Sequence, residues 1–204
     1  MIAIVDYGMG NLHSVSKALE TVGASVTVTS KADDIRRADK IVLPGVGSFA
    51  QGMAHLKSLH LIDALNEQVI GKRKPFLGIC LGLQLAAEEG EEHGPTQGLG
   101  WLKGKVIRLN AADRSVKVPH MGWNDVEVVS EQPLFTNIKN LTSFYFVHSY
   151  HFVVEEPDCV AARCEHGITF TAAISKGNIH LVQFHPEKSQ SVGLQVLENF
   201  LRNT

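Results

Sequence analysis

The sequence predicts an α/β fold: an open, mostly parallel mixed sheet with flanking helices. Two patterns predict it. In the first half of the chain, short apolar runs alternate with amphipathic stretches of helical period, the arrangement that builds a parallel sheet with helices on both faces. In the second half, strand-like segments succeed one another across glycine turns, which adds antiparallel strands. The 204 residues contain no internal repeat, linker or low-complexity segment, so one domain spanning 1–204 is expected.

Each element follows from its local pattern. Ile2–Val5 is a short apolar run ended by Asp6-Tyr7-Gly8-Met9-Gly10. Asn11 suits an N-cap, after which Leu12, Val15, Leu19 and Val22 recur at helical spacing until Gly23. Residues 25–29 alternate as a strand, Ile35 and Ala38 belong to a short charged helix, and residues 41–43 form a third strand stopping at Pro44-Gly45. Residues 61–70 read as an amphipathic helix, 75–79 as a buried strand, and 81–87 as the apolar helix behind it. Strands are then expected at 106–109, 125–129, 144–152, 160–163, 168–174 and 179–184, with turns at Gly167 and Gly177-Asn178, and a closing helix at 192–202. The glutamate-rich stretch 88–95 reads as a solvated loop.

Composition narrows the function classes. Lys plus Arg number 19 against 21 Asp plus Glu, a net charge of −2, with 44% apolar and 20% charged residues. That balance is typical of a folded globular chain and argues against a protein that neutralises many phosphates, so no nucleic-acid partner is expected. Three cysteines are an odd count and too few for a disulfide scaffold. The N-terminus lacks a basic leader, and no apolar run approaches the ~18 residues that span a bilayer, so no membrane partner and a cytoplasmic location are expected.

Gly8-x-Gly10 follows the first strand and invites a dinucleotide reading. The third glycine position holds His13, and the second strand ends in Thr29-Ser30 with no acid for a ribose, so a tight strand-to-helix turn explains it better. Gly78-Ile79-Cys80-Leu81-Gly82 is more informative. A glycine-flanked residue between a buried strand and a helix sits on a sharp turn that projects its side chain into a cleft. A helix N-terminus favours a thiolate there, and the Leu81 N–H would face an oxyanion formed on attack at Cys80. The same five residues equally describe a buried structural cysteine beside packing glycines.

A cysteine nucleophile needs a base, and the base an orienting group. His185-Pro186-Glu187 ends the strand expected at 179–184, and in extended chain positions two apart share a face, so Glu187 can reach the His185 ring. Both motifs end strands at the edge where open α/β sheets bind ligands, which favours Cys80–His185–Glu187 chemistry over a lone histidine beside a solvated acid. Gln84, one helical turn after Cys80, shares its face. Pro44-Gly45-Val46-Gly47-Ser48 has glycines free to change conformation and N–H groups able to supply a second oxyanion donor, or it is a plain turn.

Pro44-Gly45-Val46-Gly47, Gly78-Ile79-Cys80-Leu81-Gly82-x-Gln84 and His185-Pro186-Glu187 together resemble the triad-type, class I glutamine amidotransferases. The segments Asp6 to Asn11, Pro119-His120-Met121-Gly122-Trp123-Asn124, Tyr145 to Tyr150, and Glu187 to Gln190 narrow the resemblance to the glutaminase subunits of imidazole glycerol phosphate synthases. The matching segments run from residue 6 to residue 190 with every triad position intact; Leu83 stands where the family often has Met, a volume-conserving change. The resemblance implies that Cys80 attacks the glutamine side-chain amide, with His185 and Glu187 completing the triad. It places oxyanion donors at Leu81 and in Gly45-Val46-Gly47, and glutamine-pocket residues at Gln84, Gly47 and Ser149, with His148 beside them. It further implies a (β/α)8-barrel cyclase partner that receives ammonia, docked over Trp123, Tyr145 and Asn11, and no cofactor or metal. A subunit serving a different acceptor, a stand-alone γ-glutamyl hydrolase and a catalytically silent binding module are the competing readings.

Other clusters point to nothing catalytic. Cys159-x4-Cys164-x-His166 lies on an alternating strand without a fourth ligand. Lys72-Arg73-Lys74 suits a helix C-terminus. Lys103, Lys105, Arg108, Arg114 and Lys117 suit a solvated or docking face, and His148 and His151 face opposite ways on a regular strand.

Overall fold

In the computed structural model, which describes residues 1–110 and 116–204, the first half of the chain winds as the periodicity demands. Ile2–Val5 (β1) leads to Leu12–Thr21 (α1), capped by the Asn11 side chain, which accepts from the Ser14 N–H at 3.2 Å. Val26–Thr29 (β2), Ala32–Arg37 (α2) and Lys40–Gly45 (β3) follow. Phe49–Ser58 (α3) is a helix that the apolar pattern alone does not announce; its signal is the cap Ser48, whose hydroxyl accepts from the Gln51 N–H. Ile62–Leu65 (α4) continues into a π-helical turn, Asn66–Gly71, so the expected helix is present but widened at its end. Lys72 follows that turn and pairs with Glu67 at 2.8 Å. Phe76–Cys80 (β4) then feeds Leu81–Gln84 (α5).

The expected helix 81–87 is therefore cut short. Ala87–Gly90 (β5) pairs with Leu102–Arg108 (β7) and with Thr96–Gln97 (β6), because those long-range ladders satisfy backbone groups that another helical turn would have used locally. Residues 88–90 of the acidic stretch thus belong to a strand, while 91–95 form the mostly exposed turn that follows it. Lys105 on β7 lies 3.0 Å from Glu89, so part of the basic stretch is paired rather than free; Arg114 lies outside the described residues.

The remaining strands are His120–Val128 (β8), Thr142–His148 (β9), Tyr150–Val154 (β10), Val160–Glu165 (β11), Thr169–Lys176 (β12) and Ile179–Val182 (β13), closed by the helix Gln190–Asn203 (α6). Nine strands form one sheet in the order β2-β1-β3-β4-β13-β12-β11-β8-β9. The run from β2 to β13 is parallel, and the pairs beyond β13 are antiparallel. A second sheet, β10-β7-β5-β6, was not legible in the local pattern.

The expected single strand 144–152 breaks at Ser149, where the chain leaves β9 in the large sheet and enters β10 in the small one. The regular-strand premise that would separate His148 from His151 fails there. Both rings come near Phe170, at centroid distances of 5.0 and 6.2 Å.

The large sheet is buried on both faces. Val15 and Leu19 of α1 and Val196, Leu197 and Phe200 of α6 pack in one core; Ile35, Leu56, Leu65 and Leu81 pack in the other. Cys164 belongs to the first and Cys159 to the second, so that motif does not converge. Among the described residues no helix is long and apolar enough to cross a membrane.

Candidate active site

Three neighbouring parallel strands, β3, β4 and β13, end beside one another. Gly45 pairs with Cys80, and Ile79 with Val182, three residues before His185. Strands ~4.8 Å apart thereby bring together three motifs far apart in the sequence.

Cys80 occupies the turn between β4 and α5 with φ 52° and ψ −104°. A non-glycine residue held in that region stores roughly 1–3 kcal/mol, maintained only where the surroundings over-determine it. Here the glycines do so. A methyl group at Gly78 would meet the Gly82 carbonyl oxygen at 2.7 Å, and one at Gly82 would overlap the Leu43 carbonyl oxygen. The turn closes only because neither residue has a side chain.

Cys80 is 5% exposed and lines a cavity of about 530 Å³ together with Val46, Gly47, Leu81, Gln84, His148 and Ser149. Leu81, the expected oxyanion donor, is the first residue of α5, directly after Cys80. The Val46 and Gly47 N–H groups have no hydrogen-bond partner among the described residues. Gly47 adopts φ 115°, and a side chain there would strike the Met9 methyl group at 2.5 Å. Gly10 likewise abuts Gly45, so the glycine turn after β1 serves close packing against this strand.

His185 Nδ1 lies 2.8 Å from Glu187 Oε1. The backbone holds the ring in place: His185 N–H donates to the Tyr145 carbonyl, and the Ser189 hydroxyl donates to the His185 carbonyl. Burial pulls the His185 imidazole down, but the Cys80 thiol and the Glu187 carboxylate outweigh it and raise it to about 10. Nε2 of His185 has no hydrogen-bond partner among the described residues.

The Gln84 amide is partly committed. Its Nε2 donates to the Tyr150 carbonyl at 2.9 Å and to Gln183 Oε1 at 3.2 Å, while Gln183 Nε2 donates to Cys80 Sγ at 3.6 Å. Sequence reasoning missed Gln183, a buried polar residue just past the apolar strand β13. It also missed Glu92, which among the described residues is the one carboxylate in the cavity wall, as Lys188 is the one amine. Glu92 accepts the Phe49 N–H at 2.9 Å, so it is no free surface acid.

The residues expected at a partner interface divide. Trp123 is 47% exposed and stands edge-on to Tyr145, ring centroids 6.1 Å apart, with Met121 64% exposed on the same face of β8. Asn11 is exposed but spends its side-chain oxygen on capping α1.

The chain matches the family described as glutamine amidotransferase class-I over residues 3–204. It is 48% identical over 202 residues to imidazole glycerol phosphate synthase subunit HisH 1 of Campylobacter jejuni, covering 99% of this chain and 100% of that one. It is 49% identical to the HisH subunit of Nitrosomonas europaea (100% and 98% covered) and 45% to that of Methanocaldococcus jannaschii (98% of each). Among solved structures, PurLQS of Thermotoga maritima superposes with a TM-score of 0.74 at 20% identity, covering 99% of this chain and 97% of that one. A structure described as glutamine amidotransferase gives 0.73 at 20% identity, covering 98% and 97%. With a full-length family match and relatives nearly half identical along their whole lengths, the chain belongs to the class I glutamine amidotransferases.

Proposed function

We propose that this protein hydrolyses glutamine to glutamate and ammonia as the glutaminase subunit of an imidazole glycerol phosphate synthase, in histidine biosynthesis. The observation that carries the reading is the strained Cys80 turn beside the His185–Glu187 pair, in a chain alike end to end to subunits of that name. Residues 1–204 act as one glutaminase domain in the cytoplasm.

Cys80 Sγ attacks the side-chain amide carbon of glutamine. The oxyanion that forms is met by the Leu81 N–H and, once the Gly45-Val46-Gly47 segment reorients a peptide, by a donor from that segment. A His185 imidazole held high in pKa is protonated at neutral pH, so it gives its Nε2 proton to the departing nitrogen and ammonia leaves. The neutral ring then takes a proton from water, whose oxygen opens the thioester to give glutamate and regenerate the thiolate. Glu187 holds the ring orientation and stabilises its cation.

The substrate is a zwitterion, and Glu92 is suited to its α-ammonium group, as the only carboxylate of the cavity wall among the described residues. Gln84 and Ser149 complete the pocket, with His148 beside it. Ammonia is mostly protonated in neutral water and then is no nucleophile, so it passes directly to a (β/α)8-barrel cyclase docked over Trp123 and Tyr145. Asn11 is assigned to the same docking surface. No cofactor or metal enters this chemistry.

The deciding experiment measures glutamate release with and without the barrel cyclase and its ribotide ligand. Weak activity alone and strong activity in the assembly support the reading. Full activity in the isolated chain would make it a stand-alone γ-glutamyl hydrolase.

A further inference from the structure

Behind the cavity wall a line of hydrogen bonds runs through two buried imidazoles, and their proton positions follow from its ends. His148 Nδ1 lies 2.9 Å from the Tyr150 carbonyl oxygen. A carbonyl only accepts, so His148 carries its proton on Nδ1 and its Nε2 is bare. His120 Nδ1 lies 3.0 Å from that Nε2 and must therefore donate, leaving His120 Nε2 as an acceptor. The other end requires the same assignment. The Asn124 amide orientation is set by two backbone groups: its Nδ2 donates to the Glu165 carbonyl at 2.8 Å, and its Oδ1 accepts the Asp125 N–H at 2.8 Å. The second Nδ2 proton then meets His120 Nε2 at 3.1 Å, where an acceptor is needed. Two independent backbone anchors thus agree on one tautomer for each ring.

The line does not stop at Tyr150. Its carbonyl also accepts from Gln84, which bonds Gln183, which donates to the Cys80 sulfur. We propose that His120 is a positioning residue for the glutamine pocket, its Nδ1–H pairing the bare His148 Nε2 and so keeping that ring turned toward the Tyr150 carbonyl shared with Gln84. The proposal rests on the glutaminase reading and deepens it. Period-two alternation along β8 turns His120 inward and leaves Met121 and Trp123 on the outer face. One strand therefore carries both the apolar docking surface and the first links to the nucleophile.

Geometry also excludes a proton from this pair. A second proton on His120 would point Nε2–H at the Asn124 amide, and one on His148 would set Nε2–H against Nδ1–H. Burial, with the stacked His166 at 4.0 Å from His120 and with His151 near His148, holds both rings neutral.

The test uses the full chain with two readouts, ring-nitrogen chemical shifts and steady-state glutamate release. In the unaltered protein at neutral pH, both histidines are expected as Nδ1–H tautomers. His120→Leu leaves His148 Nε2 unpaired and its ring free to turn from the Tyr150 carbonyl toward the cavity; its tautomer should then become mixed, and KM for glutamine should rise roughly tenfold with kcat changing less than about twofold. His120→Asn, which restores an N–H donor near Nδ1, should return KM to within about twofold. Asn124→Asp covers the case in which the leucine variant fails to fold. It replaces the donor by an acceptor, so the His120 proton should move from Nδ1 to Nε2 and KM should rise as in the leucine variant. An unchanged His148 tautomer, or an asparagine variant no better than leucine, overturns the proposal. Absent glutamine hydrolysis in the unaltered assembly would instead sink the glutaminase reading, leaving the tautomer measurement to stand by itself.

Discussion

His185 and Glu187 face each other at 2.8 Å, and each side chain is only 2% exposed. A carboxylate so enclosed is screened little by solvent, so it orients the ring and favours its cation. Glu187→Gln keeps the shape and removes the charge. Glutamate release should fall by about 10³–10⁴-fold, and the His185 pKa should drop from its raised value of about 10. A pH–rate profile together with histidine chemical shifts checks both, and an unmoved pKa would contradict the assigned cause.

Cys80→Ser should reduce glutamine hydrolysis by about 10⁴-fold or more, since the thiol is the attacking atom. The side chain changes by one atom at a turn set by glycines, so the thermal midpoint should hardly move. Retained glutamate release at the original rate would remove Cys80 from the mechanism.

Glu92→Gln tests the substrate's ammonium subsite. The amide oxygen can still accept the Phe49 N–H, so α3 keeps its anchor. A charge-assisted hydrogen bond contributes about 2 kcal/mol, so KM for glutamine should rise about 30-fold with kcat little affected. Equal loss in kcat would show that Glu92 acts on the transition state instead.

Gly82→Ala separates overlap from backbone strain. Its methyl group would collide with the Leu43 carbonyl of a central strand, which cannot retreat without breaking the β3–β4 ladder, so a loss of about 3 kcal/mol or more is expected. Gly23→Ala is the comparison: φ is 89° there but nothing lies within 4 Å, and conformational strain alone should cost ~1–2 kcal/mol. Urea denaturation of both variants decides, and equal losses would refute the packing argument.

Acidification should destabilise the fold before carboxylates titrate. Burial lowers His120, His151 and His180 to about 4 and His148 to about 3. Below the unfolded value of ~6.5 the unfolded chain takes up protons that the native state refuses, so stability falls as pH drops from about 6.5 toward 4. His185 works in the opposite sense: its raised value stabilises the native state fully below about 6.5, and that contribution fades as pH rises toward about 10. A urea midpoint that stays level from pH 7 to pH 5 would speak against the neutral buried imidazoles.

What local pattern can encode was legible from the residues alone. Alternation and helical period placed most strands and helices; Gly78-Ile79-Cys80-Leu81-Gly82 announced a sharp turn, and the spacing of His185 and Glu187 put them within reach of each other. Those signals are local because backbone sterics and side-chain period act over a few residues. Tertiary structure alone decided that β3, β4 and β13 are neighbours, that the chain changes sheets at Ser149, and that residues 87–90 pair as a strand rather than extend a helix. It also delivered Glu92 to the cavity wall and joined Asn124, His120 and His148 into one polar line. Strand order and long-range pairing are set by how the whole chain buries its apolar surface and satisfies its backbone groups, and no short window of sequence records that outcome.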